Sequence, residues 1–386
     1  MTEVIELCKQ LVNCKSYSGE EEAVARIIEA YGKSHFDDVQ VDRLGNVCLV
    51  MNGSEAGKTI LLDGHIDTVP VNEKKWQSDP FQVVETEDWL IGRGTSDMKG
   101  SVASMIRAAI AFKEDTNGNF KGRVVVSCSV HEETFEGIAT REVSKNYRPD
   151  IVIIGEATDL NLNRGQRGRA EIVVETYGTS AHSSNPQAGV NAVSKMMDFL
   201  NEVKKVENPT HDILGEGILV LTDIISSPYP GKSVVPDLCR ATFDRRTLVK
   251  ETKESTLAPI QAILERLAKE DSDFHGKASY AIGSEKCYTG EVIEAERFFP
   301  AWLYDEASAF VAKSLAALHE VGIPSELSHY SFCTNGSHFA GEASIPTIGF
   351  GPSLERLAHI DNEYILKDQL IKASIGYQAI IKSLLS

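Results

Sequence analysis

The stretch "ILLDGHIDTVP", Ile60 to Pro70, sets Asp63, His65 and Asp67 at alternate positions behind an apolar run. Residues i, i+2 and i+4 of a strand share one face, so a buried strand is expected to end in acid, imidazole and acid. Carboxylates recur after other strand-like or glycine-rich runs: Asp97 in "GRGTSDMKG", Glu132 and Glu133 in "HEETFEG", and Glu156 in "DIVIIGEAT". His359 lies far down the chain in "AHIDNE". Singly, each has an ordinary explanation. The H-x-D pair can be structural, Asp97 can cap the next helix, and the glutamates and His359 can be solvated loop groups. Brought together, Asp97, Glu132, Glu133 and Glu156 would repel one another and could not all stay ionised. Two divalent cations would match these four acids in charge. Histidine and carboxylate donors with no thiolate suit zinc, with cobalt or manganese as alternatives.

Convergence requires elements that end at one edge. "TEVIELCKQLV" has helical spacing, and "SGEEEAVARIIEAY" begins with Ser18 and Glu21 in capping-box positions. "VQVDRLGNVCLVM" reads as a hairpin around Leu44-Gly45-Asn46. The strand ending near His65 is followed by a helix over about 99–113, then by the strands "RVVVSCSV" and "DIVIIGEAT". Such alternation predicts an open, mostly parallel α/β sheet with flanking helices and a site at its carboxyl edge. The pattern changes near Arg164. Alternating strands "GRAEIVVETYGTSAH" and "LCRATFDRRTLV" are interleaved with amphipathic helices "GVNAVSKMMDFLNEVKKV" and "ESTLAPIQAILERLAKE". The α/β pattern then resumes with "DEASAFVAKSLAALHEV" and "IPTIGFG". The expected organisation is a catalytic domain in two parts, 1–167 and 285–386, with an α+β lid and dimerisation domain inserted at 168–284.

The chain of 386 residues is long enough for two domains, and 42% apolar with 25% charged residues is ordinary for a soluble protein. A net charge of −17 argues against nucleic-acid or anionic-membrane partners, which need a basic footprint. No run of about eighteen apolar residues predicts a membrane span, and "MTEVIELCKQLV" lacks signal-peptide features. Seven scattered cysteines without a C-x-x-C predict reduced thiols and a cytoplasmic location.

With these residues assembled, the sequence resembles the co-catalytic zinc family of acetylornithine deacetylase, succinyl-diaminopimelate desuccinylase, aminoacylase and carboxypeptidase G. "GHIDTVP", "GRGTSDMKG", "HEE", "GEAT", "SAHSSNP" and "AHIDNE" occur in the family's order over nearly the whole chain. "RGQRGRAEI" and "DRRTLVKETKE" are most similar to the bacterial YgeY-type peptidase group. The resemblance implies that His65 and Glu156 hold one metal, Glu133 and His359 the other, that Asp97 bridges the two, and that the Asp97–Met98 peptide following it is cis. It implies that Asp67 takes the second ring N–H of His65, a contact that metal-bound imidazole generally has. It makes Glu132 the general base toward a water shared by the two ions, and His182 an oxyanion donor that reaches across a homodimer. Arg246 and Arg167 are expected to meet a substrate carboxylate, and Asn335 to line the substrate pocket.

Two departures bear on specificity. Ser233 stands where relatives often carry Asn, and Cys333-Thr334-Asn335-Gly336 replaces a common Gly-Gly-Thr-Asp. The expected activity is hydrolysis of an N-acyl amino acid or short peptide. A dipeptidase or exopeptidase with the same chemistry is one alternative, and a catalytically silent amino-acid-binding relative is another.

Overall fold

A computed structural model describes residues 2–386. The chain divides into two compact units, the first comprising 1–166, 284–294 and 302–386, the second 167–283 and 295–301.

The first unit is built on a nine-stranded mixed sheet. Its centre is four parallel strands, Lys121–Ser129, Glu55–His65, Ile151–Ile154 and Thr347–Gly349. On one side the antiparallel hairpin Asp38–Val41 and Val47–Asn52 completes the sheet. On the other, Leu162–Gln166 runs antiparallel to Thr347–Gly349 and pairs with Trp302–Leu303 and Leu327–Tyr330. The central strands are apolar without alternation, and Ile60, Leu61, Leu62 and Val124 to Val126 are fully buried. Strands covered on both faces read this way, and each fully buried aliphatic side chain stabilises by about 1.5–3 kcal/mol.

Helix Lys99–Thr116 packs against the strands Glu55–His65 and Lys121–Ser129, and two glycines set how closely. A Cβ on Gly64 would lie 2.5 Å from Met105 Cε and 2.8 Å from Met98 Cε. One on Gly155 would lie 2.8 Å from Ser101 Oγ and 2.9 Å from Met98 Cε. Glycine at both positions lets the helix rest on the backbone beside His65 and Glu156, which carries Asp97 over both.

The second unit has a five-stranded antiparallel sheet in the order Ile218–Ser227, Leu238–Thr247, Gly168–Tyr177, His275–Tyr280, with Phe298–Phe299 also pairing with Gly168–Tyr177. Helices Ala192–Val203 and Lys253–Glu270 cover its apolar face, where Met196, Phe199, Phe243 and Leu264 form the core. The return of 295–301 to this sheet differs from the expected boundary at 285. Two residues of strand are too short a signal to read from periodicity. The edge strand Ile218–Ser227 leaves Val220, Leu221, Ile224 and Ile225 exposed.

One local expectation is corrected, and one ordinary explanation for Asp97 falls away. Helix Glu22–Lys33 has no side-chain cap. Ser18 instead donates to Asp67, and Glu21 accepts the N–H groups of Gly19 and His131. Helix Lys99–Thr116 likewise starts without a cap from Asp97.

One ion-pair cluster away from the sheet edge makes stability depend on pH. In the π-helical turn Ser337–Glu342, the Glu342 carboxylate meets His338 Nδ1 at 2.8 Å and Arg141 Nε at 2.9 Å. Burial works against the charged form, but the bonds from His338 and Arg141 outweigh it and hold the Glu342 carboxyl down at about 2 from 4.5. A depressed carboxyl contributes stability that is complete above the unfolded pKa and lost as pH falls through the folded one. The Glu342 contribution is therefore expected to disappear between about pH 4.5 and 2. In urea titrations over that range the wild type should lose more stability than Glu342→Gln; parallel losses would refute the assignment.

Candidate metal centre

Parallel strand order brings the carboxyl ends of Glu55–His65, Lys121–Ser129, Ile151–Ile154 and Thr347–Gly349 to one edge, where an open α/β sheet ordinarily places its site. His65 closes the first strand, Glu132 and Glu133 follow the second, Glu156 follows the third, and the loop carrying His359 follows the fourth.

Two overlapping sets of possible metal donors form there: His65, Asp97 and Glu156, and Asp97, Glu133 and His359, each with donor atoms within 4.8 Å of one another. Asp97 belongs to both. Its Oδ1 lies 2.9 Å from His65 Nε2, and its Oδ2 lies 3.2 Å from His359 Nε2. Glu156 Oε1 is 3.4 Å from His65 Nε2, and Glu133 Oε2 is 2.9 Å from His359 Nε2. Glu132 belongs to neither set. Its Oε2 is 3.9 Å from His65 Nε2, and its buried Oε1 has no hydrogen bond. The Asp97–Met98 peptide is cis.

The electrostatics test whether cations fit. Burial drives Glu133 up to about 7 and pushes Glu132 and Glu156 upward. Hydrogen bonds to Asp97 and Glu133 raise His359 to about 10. His65 is also driven upward: burial opposes its charged form, and Glu156, Asp67 and Asp97 outweigh it. The site thus draws positive charge onto its imidazoles to hold four carboxylates together. Glu132 Oε1 and Glu133 Oε1 remain buried without partners. Nitrogen and oxygen donors in this arrangement fit a pair of divalent ions.

The supporting contacts differ in part from expectation. His65 Nδ1 donates to the Asp67 backbone carbonyl at 2.9 Å, while the Asp67 carboxylate is 3.5 Å away. That carboxylate instead accepts the backbone N–H groups of Glu132 and Glu133, both at 3.1 Å, and so holds the two glutamates in place. The ring is still fixed with Nε2 toward the donors. Asn335 is committed to the scaffold: it donates to Asp63 and Ser129 and accepts from Gly137 N–H. These bonds engage both amide hydrogens and one of the two lone pairs of its oxygen. Thr334 is similarly tied to Gln166.

Sequence reasoning missed Arg93 and Glu363. Glu363 is fully buried, pairs with Arg93 Nη1 at 2.6 Å, and accepts the backbone N–H groups of Gly94, Ser96 and Asp97. It clamps the loop that presents Asp97. The visible signal was an acid in "AHIDNE" beside the arginine of "GRGTSD", but nothing in their spacing links positions 93 and 363.

In the second unit, His182 is exposed and its Nδ1 accepts the Ser184 backbone N–H at 3.1 Å, which leaves the neutral ring's proton on Nε2. Arg246 Nε bonds Asp244 at 2.8 Å, and Arg167 Nη1 bonds the Glu216 carbonyl at 3.0 Å.

An α/β unit whose sheet edge gathers imidazole and carboxylate groups around one shared aspartate is the framework of a metal-dependent hydrolase. The chain belongs to the peptidase family M20/M25/M40, whose sequence profile matches residues 61–383. It is 34% identical over 368 residues to the uncharacterized protein YgeY of Escherichia coli strain K12, covering 94% of this chain and 89% of that protein. It is 29% identical over 268 residues to succinyl-diaminopimelate desuccinylase 2 of Ruegeria sp. strain TM1040, covering 66% and 67% respectively. In fold it is similar to the crystal structure of aminopeptidase PepT from Bacillus cereus ATCC 10987, with TM-score 0.77, 18% identity and coverage of 100% and 99%. No described helix is long and apolar enough to cross a membrane.

Proposed function

We propose that this chain is a two-metal hydrolase that cleaves the amide bond of an N-acyl amino acid or short peptide. The observation that carries this reading is the Asp97 carboxylate, whose two oxygens face different donor sets while Glu132 stands outside both. His65 and Glu156 would hold one ion, Glu133 and His359 the other, with Asp97 shared; zinc suits these donors best, with cobalt or manganese as alternatives. Bound there, divalent ions supply Lewis-acid polarisation of a carbonyl and acidification of water. Glu132 takes the proton of the attacking water and returns it to the leaving nitrogen, as a carboxylate raised by burial is suited to do. His182 is the proposed oxyanion donor, because its Nε2–H is left available. Arg246 is a proposed carboxylate clamp, because its Nη groups make no hydrogen bond among the described residues.

A homodimer through the inserted unit is supported by the exposed apolar residues of edge strand Ile218–Ser227. Seven unpaired cysteines support a cytoplasmic location. The N-acyl reading is favoured over a dipeptidase by the named desuccinylase among the relatives.

One preparation tests the proposal. Elemental analysis should find about two divalent ions per chain, and a chelator should abolish turnover that added zinc restores. Screening N-acyl amino acids against dipeptides should favour the former, and sedimentation should show a dimer. Absence of bound metal and of any turnover would reject the hydrolase; a fully active monomer would reject the role given to His182.

A further inference from the structure

Ser18 and Glu21 of "SGEEEAV" have the spacing of a capping box but cap no helix, and their side chains reach the support of the metal centre instead. The segment that carries them runs beside the exit of strand Glu55–His65. Ser16 Oγ donates to the Ile66 carbonyl at 2.6 Å, and the Thr68 N–H donates to the Ser16 carbonyl at 2.9 Å. A turn closed by the Glu20 N–H on the Tyr17 carbonyl, at 2.7 Å, then carries the chain to the loop that follows strand Lys121–Ser129.

Three successive backbone N–H groups of that loop end on two carboxylates. Glu21 Oε1 accepts from His131 at 3.3 Å and from Gly19 at 2.9 Å. Asp67 accepts from Glu132 and Glu133, each at 3.1 Å, and its Oδ2 also accepts the Ser18 hydroxyl at 2.7 Å. Consecutive N–H groups turned toward anionic oxygens form a backbone nest, and His131 has the positive φ, 58°, of such a turn. Glu21 and Asp67 are both fully buried, and Glu21 Oε2 has no hydrogen bond among the described residues. A buried carboxylate oxygen in that state is costly, and no capping bond to the helix after it offsets the cost. What the bonds of Glu21 and Ser18 do fix is the course of the chain through Glu132 and Glu133.

We propose that Ser18 and Glu21 are positioning residues of the hydrolytic centre: Glu21 fixes the start of the 131–133 turn and Ser18 fixes the Asp67 carboxylate, so that Glu132 and Glu133 project toward His65 and His359. The assignment rests on the hydrolase reading above. The hydrogen bonds of these two side chains go to Gly19, Asp67 and His131, none of which belongs to a donor set. Their loss therefore misplaces the base and one ligand without removing either.

The test compares wild type with Glu21→Ala, Glu21→Gln and Ser18→Ala. Kinetics of the metal-loaded proteins on the best N-acyl substrate are paired with calorimetric titration of the chelator-stripped proteins by zinc. Glu21→Ala should lower kcat by on the order of 10- to 100-fold with KM little changed, and should weaken zinc binding by a similar factor, the usual weight of a group that orients metal ligands. Ser18→Ala should shift both in the same direction by less. Glu21→Gln keeps an acceptor oxygen for Gly19 and His131 and should recover most of both. A merely structural role would lower the urea midpoint alone, so folded variants with wild-type kcat, KM and zinc affinity would overturn the proposal. Where Glu21→Ala does not fold, Ser18→Ala decides, since it removes one half-buried hydroxyl; unchanged kcat and zinc affinity there would also overturn it. If the wild type turns over no substrate, the hydrolase reading fails, and the zinc titration still decides the positioning.

Discussion

Glu132→Ala is expected to retain both metal ions and to lose about two to four orders of magnitude in kcat, the usual weight of a positioned general base. The expectation follows from where the side chain sits. Glu132 is buried beside His65 yet belongs to neither donor set, and one of its oxygens lacks any partner. Its backbone is held independently by Asp67, so truncating the side chain should not displace Glu133. Metal content by elemental analysis and kcat on the best substrate separate the two roles. Loss of one ion would make Glu132 a ligand; near-normal turnover would remove it from the chemistry.

The second large effect is expected at Glu363. Removing one partner of a buried ion pair leaves an uncompensated charge and typically costs about 3–5 kcal/mol. In Glu363→Ala that charge is Arg93, which is 2% exposed, and the N–H groups of Gly94, Ser96 and Asp97 lose their acceptor as well. The variant should unfold at markedly lower urea and bind metal poorly, because Asp97 is no longer held between the two histidines. The double variant Arg93→Met with Glu363→Leu separates these effects. Replacing both partners by apolar groups should recover much of the stability, while the loop anchoring Asp97 stays absent and metal retention stays low. Wild-type stability and metal content in Glu363→Ala would show that Glu363 is not the clamp.

These residues also show what was legible in the sequence. The chemistry at strand ends could be read because ligand types are rare in apolar runs, and parallel order follows from alternating strands and helices. His65, Asp97, Glu132, Glu133, Glu156 and His359 stood out as candidates by residue type and place, the family resemblance implied which of them are ligands, and the structure brings His65, Asp97, Glu133, Glu156 and His359 together in two sets sharing Asp97. The supports could not be read, because their partners are distant in the chain. Ser18 and Glu21 have the spacing of a local cap, but their bonds go to Asp67 and His131. Asn335 occupies a position associated with the pocket, but Asp63, Ser129 and Gly137 claim its amide. Glu363 is one acid among many until Arg93 is placed beside it. Strand ends are a one-dimensional signal, whereas a clamp between residues 93 and 363 exists only in three dimensions.

The seating of helix Lys99–Thr116 on Gly64 and Gly155 carries one further implication, for how such an enzyme can diversify. A Cβ at either position would meet Met98, Met105 or Ser101 at under 3 Å, so a larger residue there must turn those side chains or lift the helix. The spacing of His65, Asp97 and Glu156 thereby depends on glycine at both positions. New specificities on this scaffold are expected to arise in the surrounding loops, with both glycines kept.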